Sequence, residues 1–502
     1  MLERLPLHPL LVAAVPVLLL WWQNADEVAP DEALGALWPI LVAVTIGTIV
    51  ASLIVRSARR GALIVSVGAF LYLGYGHLWG QDRSTMLGLA VWALLLAVAS
   101  VWAVQQSDAD AASATRVTNV VSALLVVALV PAVWGSGSTD VAASDTVAVA
   151  PDGQPLRDIV YIIPDRYGRD DGLSETFGID NSAFTDALRA RKMQVLTDVQ
   201  GNYPRTSHSL ASTLAMEYLD DVVAAIGTGD RSDLGPVYGR LRDHRVGRVL
   251  TEAGYEYIHL GSWWSPTSTA DDADIVLSYD TRSEFDQVLR DTTMAPAIAS
   301  FGPAAAELTG RDRVRNTSAW QLDQLDRLAQ KAGDRPRFIF AHITLPHEPY
   351  VFDANGDPVD ADTERSQSRA QNYGDQLIYL NGRLLAIVDE LLDRPVDTQP
   401  IILIQSDEGP HTERQEMVLG DQFRWEDATD AELRTKLRLL SAWHLPGVDV
   451  AVPNDLSPVN SFRLIMDTYL GTELGLLEDR SYIYPDMSDL YTFTDVTERV
   501  RG

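Results

Sequence analysis

IVYIIPDRYGRD, residues 159–170, opens with four β-branched residues and a tyrosine, then breaks at Pro164-Asp165-Arg166. An apolar run with no polar alternation reads as a strand buried on both faces, and the Pro-Asp pair closes it. Runs of the same kind recur at 195–199 (VLTDV), 255–260 (YEYIHL), 338–343 (FIFAHI), 401–405 (IILIQ) and 440–445 (LSAWHL). Between them the spacing predicts helices near 181–192, 206–218, 233–252, 318–332 and 368–393. Alternation of this kind predicts an α/β domain with a central, mostly parallel sheet covered on both faces. In such sheets ligands collect beyond the carboxyl ends of the strands.

Upstream the chain changes character. Residues 1–150 hold 6 Lys/Arg and 10 Asp/Glu, which leaves −25 of the total charge of −29 to residues 151–502. This split excludes a single soluble fold, a disordered chain and a coiled coil. The acidic balance also argues against nucleic acid as a partner, which needs clustered Lys/Arg. There is no cysteine, hence no disulfide framework, thiolate site or cysteine nucleophile. Lys192, Lys331 and Lys436 are the only lysines, a bias that reads as genomic.

Five stretches are apolar enough to cross a bilayer: roughly 5–22, 33–55, 61–79, 84–104 and 117–135. The first carries Pro6, Pro9, Pro16 and His8, but no small-residue cleavage site follows Trp22, so it reads as a retained helix. Arg4, Arg56, Arg59, Arg60 and Arg116 fall on one side of the membrane and only Arg83 on the other, which predicts an inner amino terminus. Five crossings then place the rest outside. Trp21, Trp22, Trp38, Trp79 and Trp134 fall at the outer ends as an interfacial belt. No span has Asp, Glu, Lys or Arg within its apolar run, so the bundle reads as an anchor rather than a transporter. The expected organisation is a multi-pass plasma-membrane anchor (1–135), a linker (136–156) and an extracytoplasmic domain (157–502).

The strand ends carry the chemistry. The first closes on Asp165-Arg166, IILIQ on Ser406-Asp407-Glu408-Gly409, and FIFAHI leads to His347-Glu348-Pro349-Tyr350. The loop NYPRTSHS, residues 202–209, runs into a helix start. Two acidic strand ends, a hydroxyl at a helix start and a histidine are the ingredients of a metal-assisted ester-cleaving site. Each feature also has a plainer reading. Thr206 is an ordinary residue type for a helix cap, Asp165 for a turn, and Ser-Asp-Glu-Gly for a bend closing a strand.

Taken together, IVYIIPDRYGRD, NYPRTSHSLAST, FIFAHITLPHEPY and IILIQSDEGPH resemble the sulfatase-like branch of the alkaline phosphatase superfamily, in order and strand context, over about residues 157–471. Five spans before such a domain look like lipoteichoic acid synthases and phosphoethanolamine transferases. The resemblance implies Thr206 as nucleophile, since Thr206-Ser207-His208-Ser209 matches the transferase form Thr-Ser-x-Ser, and a threonine cannot supply the formylglycine of sulfatases. It implies Asp165, Thr206, Asp407 and Glu408 as metal ligands, with Glu408 standing where the family has histidine. An all-oxygen set suits Mg²⁺, Mn²⁺ or Ca²⁺ better than Zn²⁺, with Mn²⁺ or Mg²⁺ favoured. His411 could replace the missing imidazole, which keeps Zn²⁺ open. His347 matches the histidine that contacts the transferred group and could act as general acid.

Arg166 and Arg205, beside these ligands, could hold phosphate oxygens or pair with surface acids. Trp263 and Trp264 fall where the synthases bind substrate, with burial under the next loop as the alternative. His342, inside its strand, reads as a satisfied core histidine. Asp353-Ala-Asn355-Gly-Asp357 lacks the last ligand of a calcium loop and reads as a turn. The expected function is a membrane-anchored, metal-dependent phosphoester or sulfoester transferase or hydrolase acting on a membrane lipid or envelope glycan. The competing readings are an inactive binding module, with Glu408 marking a decayed site, and a sulfuric ester hydrolase.

Overall fold

The structure, a computed structural model, describes residues 5–24, 28, 30–79, 85–134, 156–280, 283–299, 310–418 and 423–501. Nearly all of the expected linker, 136–155, and the loop at 80–83 lie outside the described residues. The chain divides into two compact units, one made of Met1–Ser138 with Arg282–Arg313, the other of Thr139–Thr281 with Val314–Gly502.

The first unit is helical: α1 (His8–Gln23), α2 (Pro30–Ile54), α3 (Ala58–Leu73), the short α4 (Tyr75–Trp79), α5 (Thr85–Gln105) and α6 (Asp108–Trp134). Among the described residues, three helices are long and apolar enough to cross a membrane, over Glu32–Ile54, Met86–Gln105 and Asp108–Leu129; α1 is a shorter apolar helix. Side chains such as Trp38, Leu53 and Leu124 are exposed, as expected where lipid is the solvent. A few polar ties fix the packing. Asn119 on α6 accepts hydrogen bonds from the Leu7 and His8 amides at 3.0 and 2.7 Å, occupying donors that the start of α1 leaves free. His8 itself meets Ser66 of α3 at 2.6 Å. The chain is therefore a membrane protein.

In the second unit seven strands form one sheet: β1 (Ile159–Asp165), β2 (Gln194–Val195), β3 (Glu256–Leu260), β4 (Ile275–Leu277), β5 (Arg337–Pro346), β6 (Ile401–Gln405) and β7 (Ser441–His444), in the order β2-β7-β6-β1-β5-β3-β4. The five from β6 to β4 run parallel, while β7 and β2 are antiparallel at one edge. The apolar run of β1 explains its central place. Ile159, Tyr161 and Ile163 enter one core, and Val160 and Ile162 enter the core on the opposite face. Helices Thr206–Ala215, Arg245–Glu252 and Ser461–Tyr469 cover the first face, and Ser182–Ala190 and Arg369–Leu392 the second. This is the expected α/β architecture, with a central and mostly parallel sheet covered on both faces.

Three expectations differ in detail. The run at 195–199 makes only a two-residue edge strand, since β7 offers it a partner over Gln194 and Val195 alone. The helix expected over 233–252 is two helices, Gly235–Arg242 and Arg245–Glu252, because His244 caps the second by accepting the Gly247 amide. β4 was not anticipated; three residues give too short a run to stand out.

Candidate active site

The central strands β1, β6 and β5 end close together. β1 slips its register against β5 between Pro164 and Asp165, and Arg166 follows in the left-handed region at φ 60°. A non-glycine residue there is costly and marks a backbone turned for a purpose. The turn lets the Arg166 amide donate to Asp407 Oδ1 at 3.1 Å, joining the end of β1 to the end of β6. The helix Thr206–Ala215 is fastened to the same point, since Ser209 Oγ donates to the Asp407 carbonyl at 2.6 Å. Thr206, at the start of that helix, is near enough to Asp407 to lower its pKa. Three segments far apart in sequence, β1, β6 and the helix Thr206–Ala215, thus meet around one residue.

Asp165, His342 and Asp407 place ligand atoms within 4.8 Å of one another, all three residues buried. His342 Nε2 lies 3.6 Å from Asp165 Oδ2. Asp165 Oδ1, His342 Nε2 and Asp407 Oδ2 are each buried without a hydrogen-bond partner. Orphaned polar atoms of this kind are costly to bury, and three converging on one point fit a cation. The histidine is prepared for it. Its Nδ1 meets Thr267 Oγ1 at 2.9 Å, and Thr267 meets Ser262 Oγ at 2.7 Å. With the proton on Nδ1, a lone pair is left on Nε2, the usual arrangement of a ligating histidine.

The electrostatics agree. Asp407 is pushed up to about 7, by burial first and then by the charges of Asp165 and Glu408. Burial would also raise Asp165, but His347, His342 and Arg166 outweigh it and hold that carboxyl well below the usual range. Two carboxylates in one dry site repel each other unless a positive charge joins them.

Glu408 stands elsewhere in the charge pattern. It is 3% exposed, and its Oε1 accepts from Lys436 Nζ at 2.6 Å and from Arg166 Nε at 3.2 Å. It is outside the Asp165–His342–Asp407 group. Lys436, 1% exposed, has its pKa lowered by burial, with Glu408 opposing. His411 is also outside that group. Its Nδ1 lies 3.1 Å from Glu348 Oε1, 3.0 Å from Glu416 Oε1 and 3.1 Å from Arg166 Nη1. Arg166 pairs with Glu348 as well, so its guanidinium links two acids and a histidine.

Asp165, Arg166, Arg205, Thr206, Trp263, Trp264, His347, Glu408 and His411 all line one cavity of about 220 Å³, together with Lys436, Phe423, Trp425 and Tyr484. Trp264 packs edge-on against His342 at 5.7 Å. His347 Nδ1 contacts the Glu348 carbonyl, which leaves Nε2 as the acceptor of a neutral ring. Burial, helped by Arg166, lowers its pKa and favours that neutral form.

The Sulfatase family model matches residues 157–438, more than half of the chain. The chain belongs to this family. Among solved structures, it is similar to the C-terminal periplasmic domain of EptC from Escherichia coli, at 12% identity over 70% of this chain and 96% of that one, with a TM-score of 0.43. It is also similar to the integral membrane lipooligosaccharide phosphoethanolamine transferase A from Neisseria meningitidis, at 13% identity over 90% and 94%, with a TM-score of 0.41. No curated protein sequence matches. The chain is thus a membrane-anchored hydrolase or transferase of the sulfatase superfamily.

Within this sulfatase-family site, sequence reasoning missed two side chains. His342 read as core because it is enclosed by a strand, and only the register, which sets Ile163 against His342, brings it to the end of β1. Lys436 went unused, although a lysine in so arginine-rich a chain was a signal.

Proposed function

We propose that the chain is a metal-dependent phosphoester transferase or hydrolase with Thr206 as nucleophile, a five-span anchor over 1–135, a linker over 136–156 and an extracytoplasmic catalytic domain over 157–502. The reading rests on one observation above the others: three unpartnered buried atoms, Asp165 Oδ1, His342 Nε2 and Asp407 Oδ2, with Thr206 near enough to Asp407 to lower its pKa. That observation also weighs against a decayed module, in which buried ligand atoms gain nothing by staying unpaired. The donors are two carboxylates and an imidazole with a hydroxyl next to them, a set suited to Mn²⁺ or Zn²⁺. A divalent cation there would supply the positive charge that activates the hydroxyl and offsets charge on the phosphoryl oxygens.

The chain's own groups do the rest. Asp407 orients Thr206 and takes its proton as Oγ1 bonds to phosphorus and the bond to the leaving alkoxide breaks. The first amides of helix Thr206–Ala215 precede its hydrogen-bond ladder, which begins with Ser209 donating to Arg205 O, and can donate to phosphoryl oxygens. Arg205 and Lys436 add positive charge to the cavity wall. The departing alkoxide takes a proton from solvent water. In the second step an acceptor hydroxyl or water gives its proton to neutral His347, attacks phosphorus and releases Thr206. Thr206 recovers its proton from Asp407, and His347 returns its proton to solvent. The aromatic wall of Trp263, Trp264, Phe423 and Trp425 suits a donor with lipid or sugar beside the phosphate.

Purified full-length protein with Mn²⁺ should release nitrophenol from a bis(nitrophenyl) phosphate and leave nitrophenyl sulfate intact. Thr206→Ala should lose about a thousandfold or more in turnover while still binding metal. Full turnover in that variant would refute the nucleophile, and preferential sulfate release would refute the phosphoester reading.

A further inference from the structure

The chain of the catalytic domain makes an excursion into the helical unit: residues 282–313 cluster with helices α1–α6, not with the strands on either side of them in sequence. Its described part begins with a helix, Glu284–Thr292, capped by Ser283 accepting the Asp286 amide, and continues into the short helix Ala295–Ala299. Phe285 and Leu289, four residues apart and so on one face, are buried among Ala14, Val17, Leu18 and Trp21 of α1 and Ala33 and Ala36 of α2. Met294 donates its amide to Tyr72 O at 2.8 Å. The fit to α4 is backbone against backbone, since a Cβ on Gly76 would lie 2.9 Å from Asp291 O and Thr292 Cα.

On this docked segment Val288 and Ile298 remain 41% and 52% exposed. The surface around them is that of membrane helices, where Leu34 and Trp38 of α2 and Met86 and Leu87 of α5 are likewise exposed. A short amphipathic helix with one apolar face on a membrane bundle and further apolar side chains uncovered is placed to lie in the lipid interface. We propose that residues 283–298 form an interfacial element whose exposed side chains, Val288 and Ile298, contact the lipid of the surrounding leaflet. The anchor is then not only the amino-terminal helices: a segment from the middle of the catalytic sequence also rests on the membrane. This is independent of the metal site and of Thr206.

The absence of cysteine from the chain makes the test direct. Val288→Cys and Ile298→Cys, introduced singly into the full-length protein, are labelled with an environment-sensitive fluorophore and reconstituted into phosphatidylcholine vesicles, with Trp38→Cys as the lipid-facing reference. Nitroxide-bearing lipid should quench both labels at least about twofold, as at the reference position, while aqueous iodide should quench them little. Quenching by iodide without lipid quenching, or by neither, would overturn the proposal. Should one cysteine variant disturb the docking, the label at the other position reads the same contact.

Discussion

Among the described residues, two triads, each of two carboxylates and a histidine, lie in the catalytic unit and have opposite fates. Asp165, His342 and Asp407 are buried, with one atom of each left unpartnered. Glu348, His411 and Glu416 also gather within ligand distance, yet Arg166 bonds both Glu348 and His411, and Arg369 reaches Glu416 at 3.7 Å. The second triad has its positive charge built in covalently. In the first, Arg166 acts on Asp165 only through its field and offers Asp407 only its backbone amide. Residue type and proximity do not make a metal site; what matters is whether the protein has already supplied the counter-charge. Glu408, which follows β6, is divided between the two cases: Lys436 and Arg166 take its Oε1, while its Oε2 is buried without a partner.

The comparison breaks most sharply at the first triad. Asp407→Asn or His342→Gln should reduce bound Mn²⁺ or Zn²⁺ from about one ion per chain to a small fraction, and turnover by about a thousandfold or more. Elemental analysis and a phosphodiester assay measure the two effects. Retention of stoichiometric metal by both variants would move the site elsewhere. A smaller effect is expected where Lys436 neutralises Glu408. Lys436→Met leaves the buried Glu408 carboxylate to the longer Arg166 pair and should cost about 3 kcal/mol, seen as a lowered melting temperature in detergent. Lys436→Met with Glu408→Leu, which removes both charges, should recover most of the loss. An unchanged melting temperature in the single variant would mean that Glu408 needs no partner there.

How much of this could be read in the sequence depends on distance along the chain. The apolar run of β1 and its acidic end, the Ser406-Asp407-Glu408-Gly409 close of β6 and the helix starting at Thr206 are local patterns, and each stands where the pattern puts it. What stayed hidden depends on pairing between remote segments. His342 becomes a neighbour of Asp165 only through the β1–β5 register, and Lys436 reaches Glu408 from a separate helix, Asp430–Leu437. A sequence shows that Glu408 is acidic but not which cation will meet it. The excursion at 282–313 was hidden too, because its apolar positions are spread over two short helices rather than one long run.

The smallest effect belongs to the second triad and separates it most cleanly from the first. Burial would raise Glu348, but Arg166, His347 and His411 outweigh it and hold its carboxyl well below the usual carboxylate range. A carboxylate whose folded pKa is depressed adds stability above its unfolded pKa and loses it as pH falls toward the folded one. Glu348→Gln should therefore lower stability at neutral pH, by only about 1 kcal/mol because the side chain is partly exposed and solvent screens it. The gap between wild type and variant should close below about pH 4, which melting curves across pH would show. Metal content should not change, because the Arg166 guanidinium already fills the role a cation would have. If Glu348→Gln strips the metal instead, the internal charge is not the deciding difference between the triads, and the ion belongs among Glu348, His411 and Glu416.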